Sequence, residues 1–163
     1  MKKKLLAVVI PSLFAASSTA LASGFQLMEQ SASGIGNAYA GSAAVAEDAG
    51  TIFYNPAGMT RLGAREVSLG LSLVKPSFKF KNDGSMSLPG VPMTGSNGGD
   101  AGDWAAVPNG YYSHKINDRL WVGIGVGVPF GLMTEYRDDW IGRFHSTKFD
   151  IKTININPSI AFK

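Results

Sequence analysis

Residues Leu120 to Val128 constrain this chain more than any other stretch. Leu120, Val122, Ile124, Val126 and Val128 alternate with Trp121, Gly123, Gly125 and Gly127. Alternation with period two specifies an extended strand with one apolar face. A soluble sheet turns that face to a core and clothes the other with polar side chains. Here the second face is nearly bare, which suits a wall against which another part of the molecule, or a ligand, presses closely. The nine alternating residues are also about the length that a tilted strand needs to cross a bilayer.

The same logic recurs along the chain. Val67, Leu69, Leu71 and Leu73 alternate with Ser68, Gly70 and Ser72. The phase slips at Val74-Lys75-Pro76, as a β-bulge would produce, and Phe78 and Phe80 then alternate with Lys79 and Lys81. That places the two phenylalanines at a membrane interface or under a loop. Val107 to Tyr112 reads as a short, imperfect second strand, and Lys115 to Asp118 as a tight turn. The last strand sets Ile154, Ile156, Ile160 and Phe162 against Thr153, Asn155, Asn157 and Ser159. Pro158 falls on its apolar face and predicts a local break. Between the strands lie a long loop over 82–103, the tight turn, and a second long loop over about 134–147. Long and short connections alternate in this way in outer-membrane barrels, with long loops outside the cell. Four strands cannot close such a barrel, whose smallest members have about eight. The expectation is an all-β membrane barrel of which residues 64–163 are the first four strands, the chain being the N-terminal part of a longer protein.

Ser31 to Met59 precedes the strands and is built mostly of Gly, Ala and Ser. Glycines at 34, 36, 41, 50 and 58 interrupt it too often for a helix beyond two or three turns. Asn55-Pro56-Ala57 marks a short helix start: the proline suits the first helical position, and the asparagine, held extended before it, can cap. Residues 23–63 are therefore expected to form a compact plug inside the barrel. Ahead of them, Lys2 to Lys4, an apolar run from Leu5 to Ala16 broken by Pro11, and Ala20-Leu21-Ala22 form an export signal. The run is too short to span a bilayer, and cleavage is expected after Ala22. Removing those three lysines from the 15 basic residues leaves 12 against 12 acidic ones. No basic patch remains to suggest nucleic acid. The absence of cysteine excludes a disulfide framework or a thiolate metal site.

Residues that carry chemistry elsewhere are sparse here. His145-Ser146 with Asp138 and Asp139 is the one nucleophile–base cluster on offer for a hydrolase, and all four share a single polar loop. His114 sits beside a turn and reads as solvated. Gly98-Gly99-Asp100-Ala101-Gly102-Asp103 occurs once, so it reads as a flexible loop rather than a calcium-binding repeat. Gly34-Ile35-Gly36 follows no strand and is not a dinucleotide fingerprint. Arg143 or Lys148 are candidates for meeting a fatty-acid carboxylate or a lipopolysaccharide phosphate. Neither a cofactor nor a metal is expected. An adhesive or purely structural barrel is the non-enzymatic alternative to a channel.

The chain resembles the FadL/TodX family of outer-membrane transporters for hydrophobic compounds. The likeness runs through Gly24-Phe25-Gln26-Leu27, Ser33 to Gly41, Ala46 to Gly50 and Asn55-Pro56-Ala57. It continues through Val107-Pro108-Asn109, Ile116-Asn117-Asp118 and Gly131 to Glu135. The resemblance implies a monomeric, fourteen-stranded barrel in the outer membrane of a Gram-negative bacterium, in contact with lipid and lipopolysaccharide. Its N-terminal hatch would block the lumen. The cargo would be a long-chain fatty acid or, in other branches, an aromatic hydrocarbon, moving passively and leaving through a gap where the third strand kinks. Phe25 then takes the position beside the bound ligand, and Asn55, Pro56 and Ala57 take the hatch motif. The kink falls at Val128, Pro129, Phe130 and Gly131.

Overall fold

The computed structural model describes residues 26–163, so the export signal expected over 1–22 and Phe25 lie outside the described residues. Four strands form one antiparallel sheet: β1 (Arg65–Val74), β4 (Ala105–Asn117), β5 (Leu120–Gly127) and β8 (Asn155–Phe162), in the order β1-β4-β5-β8. Two small hairpins stand in the long connections. β2 (Met86–Leu88) pairs with β3 (Val91–Pro92), and β6 (Gly131–Glu135) pairs with β7 (Lys148–Lys152).

The exposure of this sheet is the reverse of that in a soluble protein. Val67, Leu69, Leu71 and Leu73 on β1 are exposed, as are Ile124, Val126, Ile156, Ile160 and Phe162, with Leu69 reaching 79%. The opposite face holds Ser72, Asn109, Ser113 and the β5 glycines, and it is covered by residues 26–63. The core lies between that segment and the wall: Ala49, Ile52, Met59 and Leu62 pack against Tyr111, Trp121 and Ala161. An apolar outer band over a small-residue inner face is the arrangement of a barrel wall in lipid. Among the described residues no helix is long and apolar enough to cross a membrane.

Four local expectations are corrected. The second strand is the longest in the sheet, 13 residues rather than a short imperfect run. Its inward positions Val107, Asn109, Tyr111 and Ser113 are all buried, but polar and aromatic side chains there hide the alternation. There is no bulge at Val74: pairing runs unbroken from Arg65↔His114 to Val74↔Ala105. The phase change marks the strand's end, beyond which Phe80 packs edge-on against Trp140 at 5.7 Å. The sheet is also unbroken at Pro158, which pairs with Ile124 while Asn157 and Ser159 pair with Gly125 and Gly123. Finally, the chain on either side of the second long loop pairs as a hairpin, β6 with β7, where the sequence suggests no strands, and residues 136–147 remain its loop.

Candidate functional site

The bare face of β5 is where the N-terminal segment seats. A Cβ on Gly123 would come within 2.6 Å of the Met59 sulfur and 2.7 Å of Ile52 Cδ1. One on Gly125 would meet the Tyr111 ring at 2.9 Å, and one on Gly127 would meet Gln30 Oε1 at 2.6 Å. Side chains at these positions would occupy space already filled by that segment or, at Gly125, by Tyr111 of β4. Its shape is fixed by the Asn55-Pro56-Ala57 turn. Asn55 is extended, with φ −159° and ψ 93°, and its Oδ1 accepts from the Ala57 N–H at 3.2 Å. Its Nδ2 donates to the Ala43 carbonyl at 2.7 Å, tying two parts of the segment together. The 3-10 helix Pro56–Arg61 that follows carries Met59 to the glycine row. The cap read from the sequence is therefore present.

The wall opens directly above the glycines. Pairing of β4 with β5 ends at Asn109↔Gly127, so Ala105 to Pro108 have partners on β1 and none on the β5 side. Pro129 brings no N–H to a ladder. The carbonyls left free at the break are taken from inside: the Leu27 N–H donates to Pro129 O at 2.8 Å, and Gln30 Nε2 donates to Val128 O at 2.9 Å. Gln30 is itself held by the buried Tyr111 hydroxyl, which donates to its carbonyl at 2.8 Å. On the far side Thr153 clamps Phe130. Its hydroxyl accepts from the Phe130 N–H at 3.1 Å and donates to the Phe130 carbonyl at 2.9 Å.

A cavity of about 420 Å³ occupies this break. Leu27 and the buried Val107 line it from the inner side, while Pro108 and Ile154 belong to the exposed outer face. Val128, Gly131 and Leu132 form one bank and Trp104 to Ala106 the other. A second cavity of about 330 Å³, apolar in its lining apart from Asn109, shares Pro108, Val128 and Ile154 with it. Together their linings draw residues from both faces of the wall.

Of the residues read from the sequence, Val128 and Gly131 line the cavity, while Pro129 and Phe130 hold its edges through their backbones. Asn55, Pro56 and Ala57 do not line it and act on the seating of the segment. Phe25 stands two residues ahead of Leu27 in sequence. The sequence gives Leu27, Gln30 and Thr153 no role at this break. Their contacts are to backbone carbonyls and amides distant in sequence, so no local pattern announces them.

The remaining candidates are committed elsewhere. The Ser146 hydroxyl donates to the Lys148 carbonyl at 2.8 Å rather than to His145. Arg143 donates to the Thr94 and Trp140 carbonyls, and Lys148 pairs with Glu135 at 2.7 Å. Asp100 accepts from Ser77 Oγ at 2.6 Å, the Phe78 N–H at 2.9 Å and the Gly102 N–H at 3.1 Å. Those bonds, led by Ser77, hold its carboxyl at about 2, below the usual carboxylate range. Asp100 thus pins the exit of β1 to the approach of β4. Among the described residues no group of three or more His, Asp or Glu side chains is placed to hold a metal ion.

Comparison with known proteins agrees with this wall. Residues 13–163 match a family model described as outer membrane protein transport protein (OMPP1/FadL/TodX). A putative outer membrane protein of Neisseria meningitidis is 40% identical over 136 residues, covering 83% of the chain and 29% of the relative. A long-chain fatty acid transport protein of Escherichia coli K12 is 34% identical, covering 99% of the chain and 34% of the relative. The crystal structure of a Pseudomonas aeruginosa FadL homologue superposes with a TM-score of 0.79 at 30% identity, covering 86% of the chain and 34% of that structure. The chain thus spans about a third of the length of these relatives.

Proposed function

From the premise that the chain belongs to the OMPP1/FadL/TodX family of outer-membrane transport proteins, we propose that it forms the N-terminal hatch and first wall strands of a channel for passive uptake of hydrophobic compounds. Long-chain fatty acids are the leading cargo, the name of the E. coli relative pointing the same way. In this reading residues 23–63 close the lumen, Phe25 touches the ligand, and cargo leaves sideways between β4 and the Val128–Gly131 break into the membrane. The full-length protein acts as a monomer. An aromatic hydrocarbon would travel by the same route.

The observation that carries the proposal is a pair of adjoining, mainly apolar cavities lined from both faces of the wall where the pairing of β4 with β5 ends. The physics of the cargo favours such a route. Lipopolysaccharide resists apolar solutes, and a water-filled pore offers them no favourable transfer. Burial of each methylene is worth roughly 0.8 kcal/mol, so an apolar conduit lowers the barrier without an energy source.

Two substitutions in the full-length protein test it. Phe25→Glu places an acid in an apolar pocket and should weaken uptake of oleate. Undiminished uptake by a normally folded variant would remove Phe25 from the ligand site. Deleting Pro129 should straighten the third strand, lowering passage while leaving ligand binding nearly intact. Loss of binding together with passage would mean that the exit lies elsewhere. Parallel uptake assays with oleate and toluene separate the two cargo classes.

A further inference from the structure

Asp150 and Lys152 are the two charged side chains lining the larger cavity. They lie on β7, opposite Met133 and Gly131 of β6, and their charged atoms stand 3.5 Å apart. Among the described residues neither makes a second ion pair, although Asp150 also acts electrostatically on nearby Lys148. The Lys152 side chain is 76% exposed, free to leave Asp150 and reach a new anion. The rest of the lining is apolar or small apart from Thr153, whose hydroxyl is spent on Phe130. The cavity is therefore polar at one end, on the β6–β7 hairpin, and apolar at the other, at Pro108, Val128 and Ile154.

We propose that this polarity orients an amphiphile with a single anionic head: the carboxylate is held at Lys152, in exchange for Asp150, while the acyl chain lies over Pro108 and Ile154 toward lipid. The proposal rests on the sideways exit described above and adds the cargo's orientation, with the two residues that set it. The physical reason is the unequal cost of burying the two ends. A carboxylate drawn into the apolar end would lose its hydration without a partner, whereas at Lys152 it gains a charge-assisted hydrogen bond. The tail gains by entering the hydrocarbon. An acyl chain with carboxylates at both ends has no place for the second one and should be rejected. The β6–β7 hairpin lies in a long connection, on the side from which cargo arrives, so the molecule would enter the membrane head outward and tail inward. Asp150 competes with the ligand for Lys152 and keeps that site from holding inorganic anions tightly.

The test uses full-length protein in proteoliposomes, with oleate, oleyl alcohol and an α,ω-dicarboxylic acid of the same chain length. Lys152→Glu should lower oleate passage about ten-fold, which corresponds to about 1.4 kcal/mol, and leave oleyl alcohol unchanged. Asp150→Asn should raise oleate passage several-fold, a gain that a merely structural role or misfolding would not give. The dicarboxylic acid should pass poorly in both proteins. Equal losses for oleate and the alcohol in Lys152→Glu, or no change for either substitution, would overturn the proposal. Wild-type protein that passes neither oleate nor oleyl alcohol would instead refute the sideways exit itself.

Discussion

At the scale of single residues, the β5 glycines matter because of what they lack. Gly123 faces the ends of Met59 and Ile52, flexible groups that can shift for a methyl, and the Tyr112 carbonyl at 3.1 Å, which a methyl would crowd without overlapping. Gly123→Ala should therefore cost little, whereas Gly123→Leu must push the N-terminal segment off the wall at a cost of about 1–3 kcal/mol. The expected readouts are a lower unfolding temperature of the purified full-length protein and entry of small hydrophilic solutes into proteoliposomes. Thr153 gives a second case. Thr153→Val keeps the shape but orphans the Phe130 N–H, and should cost about 1–2 kcal/mol in urea unfolding, while Thr153→Ser should restore most of it. The glycine row was legible because alternation with an empty face has few other meanings. Thr153 and Gln30 were not, since each serves a backbone group brought near only by the closed fold.

At the scale of elements, the strands with one uniformly apolar face were readable and the others were not. β1 and β5 announce themselves through Val67 to Leu73 and Leu120 to Val126. β4 conceals its 13 residues because Asn109, Tyr111 and Ser113 point at the N-terminal segment rather than at water. The β6–β7 hairpin was hidden by its charged positions. The join between β1 and β4 has a pH dependence that follows from Asp100. Its carboxyl is held at about 2, below the unfolded value, so the folded state releases this proton more readily. Its contribution to stability is complete above about pH 4 and is lost as pH falls through about 2. The protection of amides in residues 77–102 against exchange, taken relative to their intrinsic rates at each pH, should fall over that window. Asp100→Asn should already exchange faster at pH 7 and respond little to acid; an unaltered acid response in that variant would remove Asp100 as the cause.

At the scale of the whole molecule, the sheet places its grease outside and its small and polar residues inside, and fills the inner face with its own N-terminal segment. That inversion agrees with the outer-membrane location of the family to which the chain belongs. In the proposed route the interruption at Val128–Gly131 is the gap by which cargo would reach lipid. The most direct measurement fills the gap without disturbing the ladder. Ala106 lines the cavity on a strand whose pairing with β1 does not depend on its side chain. In the full-length protein, Ala106→Trp should bind oleate like the wild type yet pass it at background rate. Normal passage through a wall so filled would contradict the account.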